Sequence, residues 1–153
     1  MSFPSIYEIS TSEGLQQRID ALSPMSQPIW GKMDVSQMLS HCAIPYKPFI
    51  TGKEPAKPPF MVRLISRIFY KRMMTGEGDM RRNMPTGKAF IVTGQPEFMR
   101  ARDNLKDAVA IIPERGESFF EGLEHPLFGR LSAREWSNLL YKHLDHHLRQ
   151  FGV

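Results

Sequence analysis

Residues 132–153, SAREWSNLLYKHLDHHLRQFGV, form the stretch that decides the fold. Ser132 and Glu135 stand in capping-box spacing, which predicts a helix that begins there and runs nearly to the end of the sequence. Trp136 is followed by leucines three and four positions later, which is the start of an apolar stripe with the helical period. The same period dominates the rest of the chain, and strand-type alternation is scarce. The sequence therefore predicts an all-α fold.

Two histidines lie in the middle of the apolar face of this last predicted helix. With Trp136 at zero and 100° per residue, His143 falls at about −20° and His147 at about +20°. Residues four apart are neighbours on a helix, so two such imidazoles can share a metal ion. The alternative is a structural pair, in which each buried histidine needs its own hydrogen-bond partner. His143 is followed by Leu144 rather than by glutamate, which excludes the HExxH pattern of zinc proteases.

A metal site of this kind needs at least a third ligand, and three residues outside the last helix are candidates. His41 and Cys42 flank an apolar stripe in an earlier predicted helix, and the helical wheel slightly favours Cys42. Cys42 is otherwise a small buried hydrophobic residue. His125 precedes Pro126 in a loop, where a histidine can simply hydrogen-bond the backbone of a turn. Spacing alone leaves the three alternatives open.

Two capping-box signals predict the helices of the N-terminal half. Ser10 and Glu13 predict the start of a first helix, and Asp34 and Gln37 predict the start of a second. The apolar pattern of the second helix runs into two prolines, so we expect this helix to kink or end near Pro45. Both helices carry their apolar residues at helical spacing.

Further helices are predicted between residues 60 and 131. Residues 60–74, FMVRLISRIFYKRMM, place four apolar side chains on one side of a helix, and Phe69 is expected in the core. Pro96 is expected in the first turn of a helix that stops or bends before Pro113. Residues 115–131 are expected to be mostly turn, or at most a short helix. Together these segments predict an up-down four-helix bundle with a short extra helix and irregular loops.

Length and composition are those of a single domain over residues 1–153. The longest unbroken apolar run is 108–112, which is far short of the roughly 20 residues that a membrane span requires. The first ten residues, MSFPSIYEIS, lack the basic and apolar regions of a secretory signal. Cys42 is the only cysteine, so an internal disulfide and a multi-cysteine zinc motif are excluded. We expect a soluble, cytoplasmic protein.

The net charge of +4 is concentrated in one segment. Residues 61–88 contain seven basic and two acidic residues, which leaves +5 there and −1 elsewhere. A basic helix face is commonly just solvated, but it also fits a non-catalytic interaction module that binds an anionic surface, with the histidines structural. Few aromatic residues and no recognised nucleic-acid motif accompany it, so we do not expect nucleic-acid binding.

Three blocks of the sequence carry a resemblance to a known family. They are WGKMDVSQMLSHCA at 30–43, HPLFGRLSAREW at 125–136 and YKHLDHHLRQFGV at 141–153. Together they resemble the DinB-like superfamily of YfiT-like metalloenzymes, within a bacterial branch of domains of unknown function that ends in HLDHHLRQFG. The resemblance spans nearly the whole chain in helix order. It implies a four-helix bundle with a three-histidine site for a divalent metal.

The family pattern takes one histidine from the second helix and an HxxxH pair from the last one. Carried onto this sequence, the pattern implies that His41, His143 and His147 are the ligands of a zinc or nickel ion, since both metals accept nitrogen ligands. The helical wheel independently selects the last two of these residues but not the first. Three further residues are expected around the ion as hydrogen-bonding or pocket residues: His125, Gln150 and Trp136.

The resemblance also implies a reaction class. Three neutral imidazoles with an open fourth position form a Lewis-acid site that lowers the pKa of a bound water or thiol. Some members of the superfamily use such a site for thiol-dependent transfer or isomerisation. We therefore hypothesise a small-molecule substrate, with a low-molecular-weight thiol such as glutathione or bacillithiol as cosubstrate. A homodimer is also expected, because bundles of this type often pair through a helix face.

Overall fold

The computed structural model describes residues 3–153, which are predominantly helical with one small hairpin. Residues 1 and 2, where the predicted domain and the N-terminal stretch begin, lie outside the described range. The α-helices are α1 (Ile9–Asp20), α2 (Val35–Ala43), α3 (Lys47–Thr51), α4 (Phe60–Phe69), α5 (Lys71–Thr75), α6 (Phe98–Arg115), α7 (Glu117–Phe120) and α8 (Ala133–Gln150). Two 3-10 turns, Ile44–Tyr46 and Lys88–Phe90, and the antiparallel strands β1 (Glu124–His125) and β2 (Gly129–Arg130) complete the fold. Within residues 3–153, no helix is both long enough and apolar enough to cross a lipid bilayer.

Two of the three predicted capping boxes are present. At the start of α2, the Asp34 carboxylate accepts from the Gln37 backbone N–H at 2.8 Å, and the Gln37 side-chain oxygen accepts from the Asp34 backbone N–H at 3.2 Å. The corresponding pair caps α8. The prediction that Ser10 caps α1 was wrong, because the helix begins at Ile9. No side chain in the described range caps this helix, and the segment before it is held by a tertiary contact, since the N–H of the buried Ile6 donates to the Ser137 hydroxyl at 3.0 Å.

Proline ends one helix as predicted and is accommodated in another. α2 ends at Ala43, and the chain passes through a 3-10 turn containing Pro45 into α3. The prediction that α6 stops or bends before Pro113 was wrong, because α6 continues to Arg115. Pro113 cannot donate to the carbonyl four residues earlier, that of Val109. The Ser12 hydroxyl from α1 donates to this carbonyl at 3.3 Å and satisfies it in place of the missing backbone bond.

The core lies between α1, α2, α6 and α8. α6 packs against both α1 and α2, and α8 also contacts both of them. Met38, Leu105 and Leu140 are completely buried where these helices meet. This arrangement brings α2 alongside α8, and it therefore positions the histidines of the two helices.

α4 and α5 lie outside this core and contradict one prediction. Phe69 was expected in the core, but it is 69% exposed, and every residue of α4 is at least partly exposed. The physical reason is the way the pair is attached to α8. The Lys142 ammonium group, itself buried, donates at 2.7 Å to the carbonyls of Met73 and Gly76 at the end of α5. The pair is therefore attached by these polar groups together with Met74, which packs against the core, and the apolar side of α4 faces outward.

Candidate metal centre

Three histidines from two helices meet where α2 passes α8. His41 comes from α2, and His143 and His147 lie one turn apart on α8. One ring nitrogen of each lies within 4.8 Å of the other two, and the Nε2 atoms of His41 and His143 are 2.9 Å apart. No ring of the three is more than 8% exposed. This buried cluster can hold a metal ion, because imidazole nitrogens are common ligands of divalent transition metals.

His41 reaches the cluster from the flank of α2 because α2 has two neighbours. The main apolar contact of α2 is with α6, and α8 lies to one side. The apolar stripe on a helical wheel is centred on the larger contact, which for α2 is the contact with α6. The wheel therefore favours Cys42 over His41. Cys42 is fully buried, with Sγ 3.7 Å from Sδ of Met38, and burial raises the pKa of its thiol. A thiol kept protonated in an apolar setting is a poor metal ligand, so Cys42 is a packing residue.

The orientation of the His41 ring is set by a backbone carbonyl. Nδ1 of His41 lies 2.8 Å from the carbonyl oxygen of Phe90. A carbonyl only accepts, so Nδ1 carries the proton and Nε2 of the neutral ring presents its lone pair to the cluster. The Gln37 side chain holds the same loop against α2 by donating to the Gly94 carbonyl at 2.9 Å. Sequence reasoning missed Phe90, because every residue has a carbonyl and no side chain marks this one.

The orientation of the His147 ring is set by Gln150. The Gln150 amide nitrogen donates to the Trp30 carbonyl, so its side-chain oxygen faces His147, where it lies 2.8 Å from Nδ1. This oxygen accepts, and Nδ1 of His147 must therefore carry the proton. Nε2 of the neutral ring is left with a free lone pair. The predicted supporting residue Gln150 thus contacts a member of the cluster directly.

His143 is the member of the cluster with an unsatisfied nitrogen. Because Nε2 of His41 bears a lone pair, the hydrogen of the 2.9 Å contact lies on Nε2 of His143. Nδ1 of His143 is then a buried acceptor, and it has no hydrogen-bond partner within residues 3–153. Buried polar atoms are nearly always satisfied, and the exceptions are frequently sites for an ion or a water. Three neutral imidazoles with an unsatisfied lone pair are a donor set that fits a divalent metal.

Burial keeps the three imidazoles uncharged. It lowers the pKa of His41 and that of His147 to about 4. The pKa of His143 lies well below its ordinary value of 6.5, because of burial and then because of the neighbouring His147 and His41. All three rings are therefore neutral near pH 7. Neutral imidazole is the form that binds a metal.

His125 and Trp136 lie together in a different part of the protein. Nδ1 of His125 accepts from the backbone N–H groups of Leu127 and Phe128 at 3.1 and 3.2 Å, and the ring centroids of His125 and Trp136 are 5.2 Å apart. Trp136 precedes His143 by seven residues, about 10 Å along a helix, and its indole donates to the Leu123 carbonyl. The two residues stabilise the hairpin. The contacts of Trp136 described here lie at the hairpin, and its place in a pocket beside the clustered histidines stays a prediction.

The surroundings of the cluster are basic and aromatic. His146 lies between His147 and Trp30, with ring centroids 5.3 and 5.7 Å away. The Arg82 guanidinium group stacks 4.1 Å above the Trp30 ring. Asp145 faces away and pairs with arginines of α1 and α8. In the part of the chain that the structure describes, the group able to share one ion consists of histidines alone, so the ligands would leave the full charge of a divalent metal uncompensated.

Comparison with known proteins gives one result. A family model described as "Protein of unknown function (DUF1569)" matches residues 8–152, nearly the whole chain. No curated protein and no solved structure gives a significant match. The matched range includes all three clustered histidines and Gln150.

Proposed function

The chain belongs to the DUF1569 family, and we propose that it binds one divalent metal ion, zinc or nickel, through His41, His143 and His147. The observation that carries the proposal is the burial of three neutral rings, two of which are oriented before any ion is present. They are buried and neutral, and the carbonyls of Phe90 and Gln150 direct the free Nε2 lone pairs of two of them. Histidines with a purely structural role need not direct their free lone pairs toward one another, whereas the ligands of a metal ion must direct them toward the ion.

We propose a metal-dependent enzyme of the thiol transferase or isomerase type. When bound, a divalent ion held by three neutral nitrogens supplies a Lewis acid that lowers the pKa of a water or thiol at its open position. The chain's own contribution is to keep the rings neutral by burial and to fix their orientation. Arg82, which stacks on Trp30 beside the cluster, offers a positive charge to an anionic low-molecular-weight thiol.

We further propose that the chain is a DinB-like four-helix bundle formed by α1, α2, α6 and α8. Two observations support this assignment. Each of α6 and α8 contacts both α1 and α2, and the clustered histidines come from the second and last of the four helices, as in the family pattern. The assignment also supports the reaction class, which rests on the resemblance rather than on a contact in this chain.

Elemental analysis of tag-free protein by plasma mass spectrometry tests the metal site. We expect about one zinc or nickel ion per chain in the wild type, none in His143→Ala and an undiminished amount in His125→Ala. His125→Ala is the matched control because it also removes a histidine, one that is partly buried and lies outside the cluster. Circular dichroism of each variant confirms folding. Full metal content in folded His143→Ala, or none in reconstituted wild type, contradicts the proposal.

A second measurement tests the substrate class. The metal-free protein is loaded with cobalt and titrated with glutathione, and we expect a sulfur-to-cobalt charge-transfer absorption. Arg82→Ala should require a higher thiol concentration for the same signal and leave the cobalt content unchanged. Cobalt bound without any such absorption contradicts the thiol hypothesis and leaves the metal site intact.

A further inference from the structure

The surface of α4 exposes a continuous set of large apolar side chains. Ile68 is 64% exposed and Phe60 is 70% exposed, which are values usual for charged residues rather than for isoleucine and phenylalanine. The set comprises Phe60, Met61, Val62, Leu64, Ile65, Ile68 and Phe69 on α4 and Tyr70 directly after it, all of them exposed. We refer to these eight residues as the α4 face.

The polar side of α4 faces the protein, so the helix is reversed relative to an ordinary surface helix. Nε of Arg63 is buried, and it has no hydrogen-bond partner in the described part of the chain. The Arg67 guanidinium group lies against Gly129, where a Cβ would be 2.7 Å from Nη2. A surface helix of a monomer turns its apolar stripe to the core and its charges to water. Here the reverse holds, and the anchoring of α5 by Lys142 keeps the helix in this orientation.

The size of the α4 face matches what a stable dimer requires. Aromatic side chains offer roughly 150–250 Å² each and the other large apolar side chains somewhat less, so eight of them at these exposures present at most on the order of 800 Å². The largest apolar patch on a typical monomer is about 300–600 Å², whereas a standard protein interface buries about 800 Å² on each partner. We propose that the α4 face is the interface of a homodimer, in which α4 of one protomer packs against α4 of its partner.

The chemistry of the α4 face favours a second copy of this chain as its binding partner. The α4 face contains no charged residue, so its partner must present a comparable apolar surface. The other exposed large apolar residues of the described chain are spread over several helices and loops, as Ile9 on α1 and Met99 on α6 are. A two-fold dimer pairs the same patch on both subunits, and α4 is thus the one surface among residues 3–153 that complements itself.

An anionic membrane fits the face less well. A helix that lies in a membrane surface has its cationic side free to contact water and headgroups. On α4 this side is partly covered by the protein, since Arg63 is partly buried and the guanidinium group of Arg67, which is otherwise exposed, packs on Gly129. The basic residues of α4 are therefore positioned to hold the helix on the protein rather than to bind lipid.

Sedimentation velocity of the tag-free chain at 5–100 μM (roughly the range in which moderate dimers dissociate) tests the proposal. We expect twice the chain mass of 17.6 kDa for the wild type and the single mass for the double variant Ile65→Glu/Ile68→Glu. Both side chains point outward in the protomer, so its thermal unfolding and metal content should persist. Ile9→Glu, which changes an isoleucine that is 68% exposed on α1, is the matched control and should remain dimeric.

Any other result of these experiments contradicts the assignment of the α4 face as the dimer interface. A monomeric wild type at 100 μM (a concentration far above that of a tight interface) excludes the dimer, and co-flotation of that monomer with phosphatidylserine vesicles would assign the face to membranes instead. A double variant that stays dimeric places the interface elsewhere. Metal content is measured in parallel, and because α4 contributes none of the three histidines, loss of the dimer with full metal content separates this inference from the proposed function.

Discussion

The side-chain oxygen of Gln150 lies 2.8 Å from Nδ1 of His147, and the amide nitrogen of the same side chain donates to the Trp30 carbonyl. One buried amide therefore fixes the tautomer of a candidate ligand and attaches it to the loop before α2. Partners of this kind commonly contribute one to two orders of magnitude to metal affinity.

Replacing Gln150 with leucine should weaken zinc binding by about 10- to 100-fold, because His147 loses the acceptor that directs its free nitrogen. Competition with a chromophoric chelator measures the affinity of the tag-free protein. Gln27→Leu is the control, since Gln27 is exposed and its side chain makes only a 3.4 Å contact with the Met25 carbonyl. Equal zinc affinities in the wild type and Gln150→Leu would remove Gln150 from the site.

Gly31→Ala should lower the midpoint of thermal unfolding and weaken metal binding. Gly31 has φ +85°, and a Cβ there would overlap the Gln150 amide nitrogen; the backbone strain alone costs about 1–2 kcal/mol. Gly14→Ala is the opposite case, because Gly14 lies within α1 and has open space around it. It should raise stability by about 0.5–1 kcal/mol. Calorimetry of the two variants measures these changes in stability. A Gly31→Ala protein as stable as the wild type would contradict the predicted overlap between the new Cβ and the Gln150 amide nitrogen.

The metal-free protein should lose stability as the pH falls from about 6.5 to about 4. Burial lowers the pKa of His41 and His143, and it lowers those of His125 and His147 to about 4. Above the ordinary pKa of 6.5 both the folded and the unfolded chains are neutral at these positions. Below it, the unfolded chain binds protons that the folded chain does not, so the free energy of unfolding decreases with falling pH.

Urea unfolding between pH 4 and pH 8 (the window set by the ordinary and lowered histidine pKa values) measures this dependence. His125→Asn should flatten part of it, because asparagine can still accept from the turn N–H groups that His125 binds but does not titrate. A pH dependence as steep as that of the wild type would show that His125 does not contribute.

Ser12→Ala should cost about 1–2 kcal/mol of unfolding free energy, because the Val109 carbonyl loses its donor. Pro113→Ala restores a backbone N–H that can bind the same carbonyl. In that background Ser12→Ala should therefore cost less, and a double-mutant cycle measured by chemical denaturation gives the coupling. An identical cost of Ser12→Ala in both backgrounds would mean that the hydroxyl does not compensate for the proline.

The part of the site that follows from helical periodicity could be predicted from the sequence. His143 and His147 share the apolar face of α8 because residues four apart always do, and Gln150 lies one turn beyond His147 on that face. His41 could not be placed in this way, since its position depends on which side of α2 faces α8. The resemblance supplied it instead, and the structure places His41 at the cluster.

What the sequence could not predict depends on contacts between distant segments. Amphipathicity identified the apolar side of α4, but not whether that side faces the core or the outside, which Lys142 and its carbonyl partners determine. The Phe90 carbonyl is likewise positioned by the path of a loop. Pro113 predicts the end of a helix, but α6 continues past it, and the Ser12 hydroxyl of α1 binds the Val109 carbonyl that the proline leaves without a backbone donor.

The separation of His41 and His143, 102 positions along the chain, gives a shared metal ion a second consequence. With Cys42 as its only cysteine, this protein cannot form an internal disulfide, but an ion bound to both residues would be a covalent-like cross-link that can be removed. Closing a loop of about 100 residues lowers the entropy of the unfolded chain by an amount equivalent to about 4.7 kcal/mol. Because the two ends of this loop are 102 positions apart, such a cross-link can close only after α8 has been synthesised and has packed against α2.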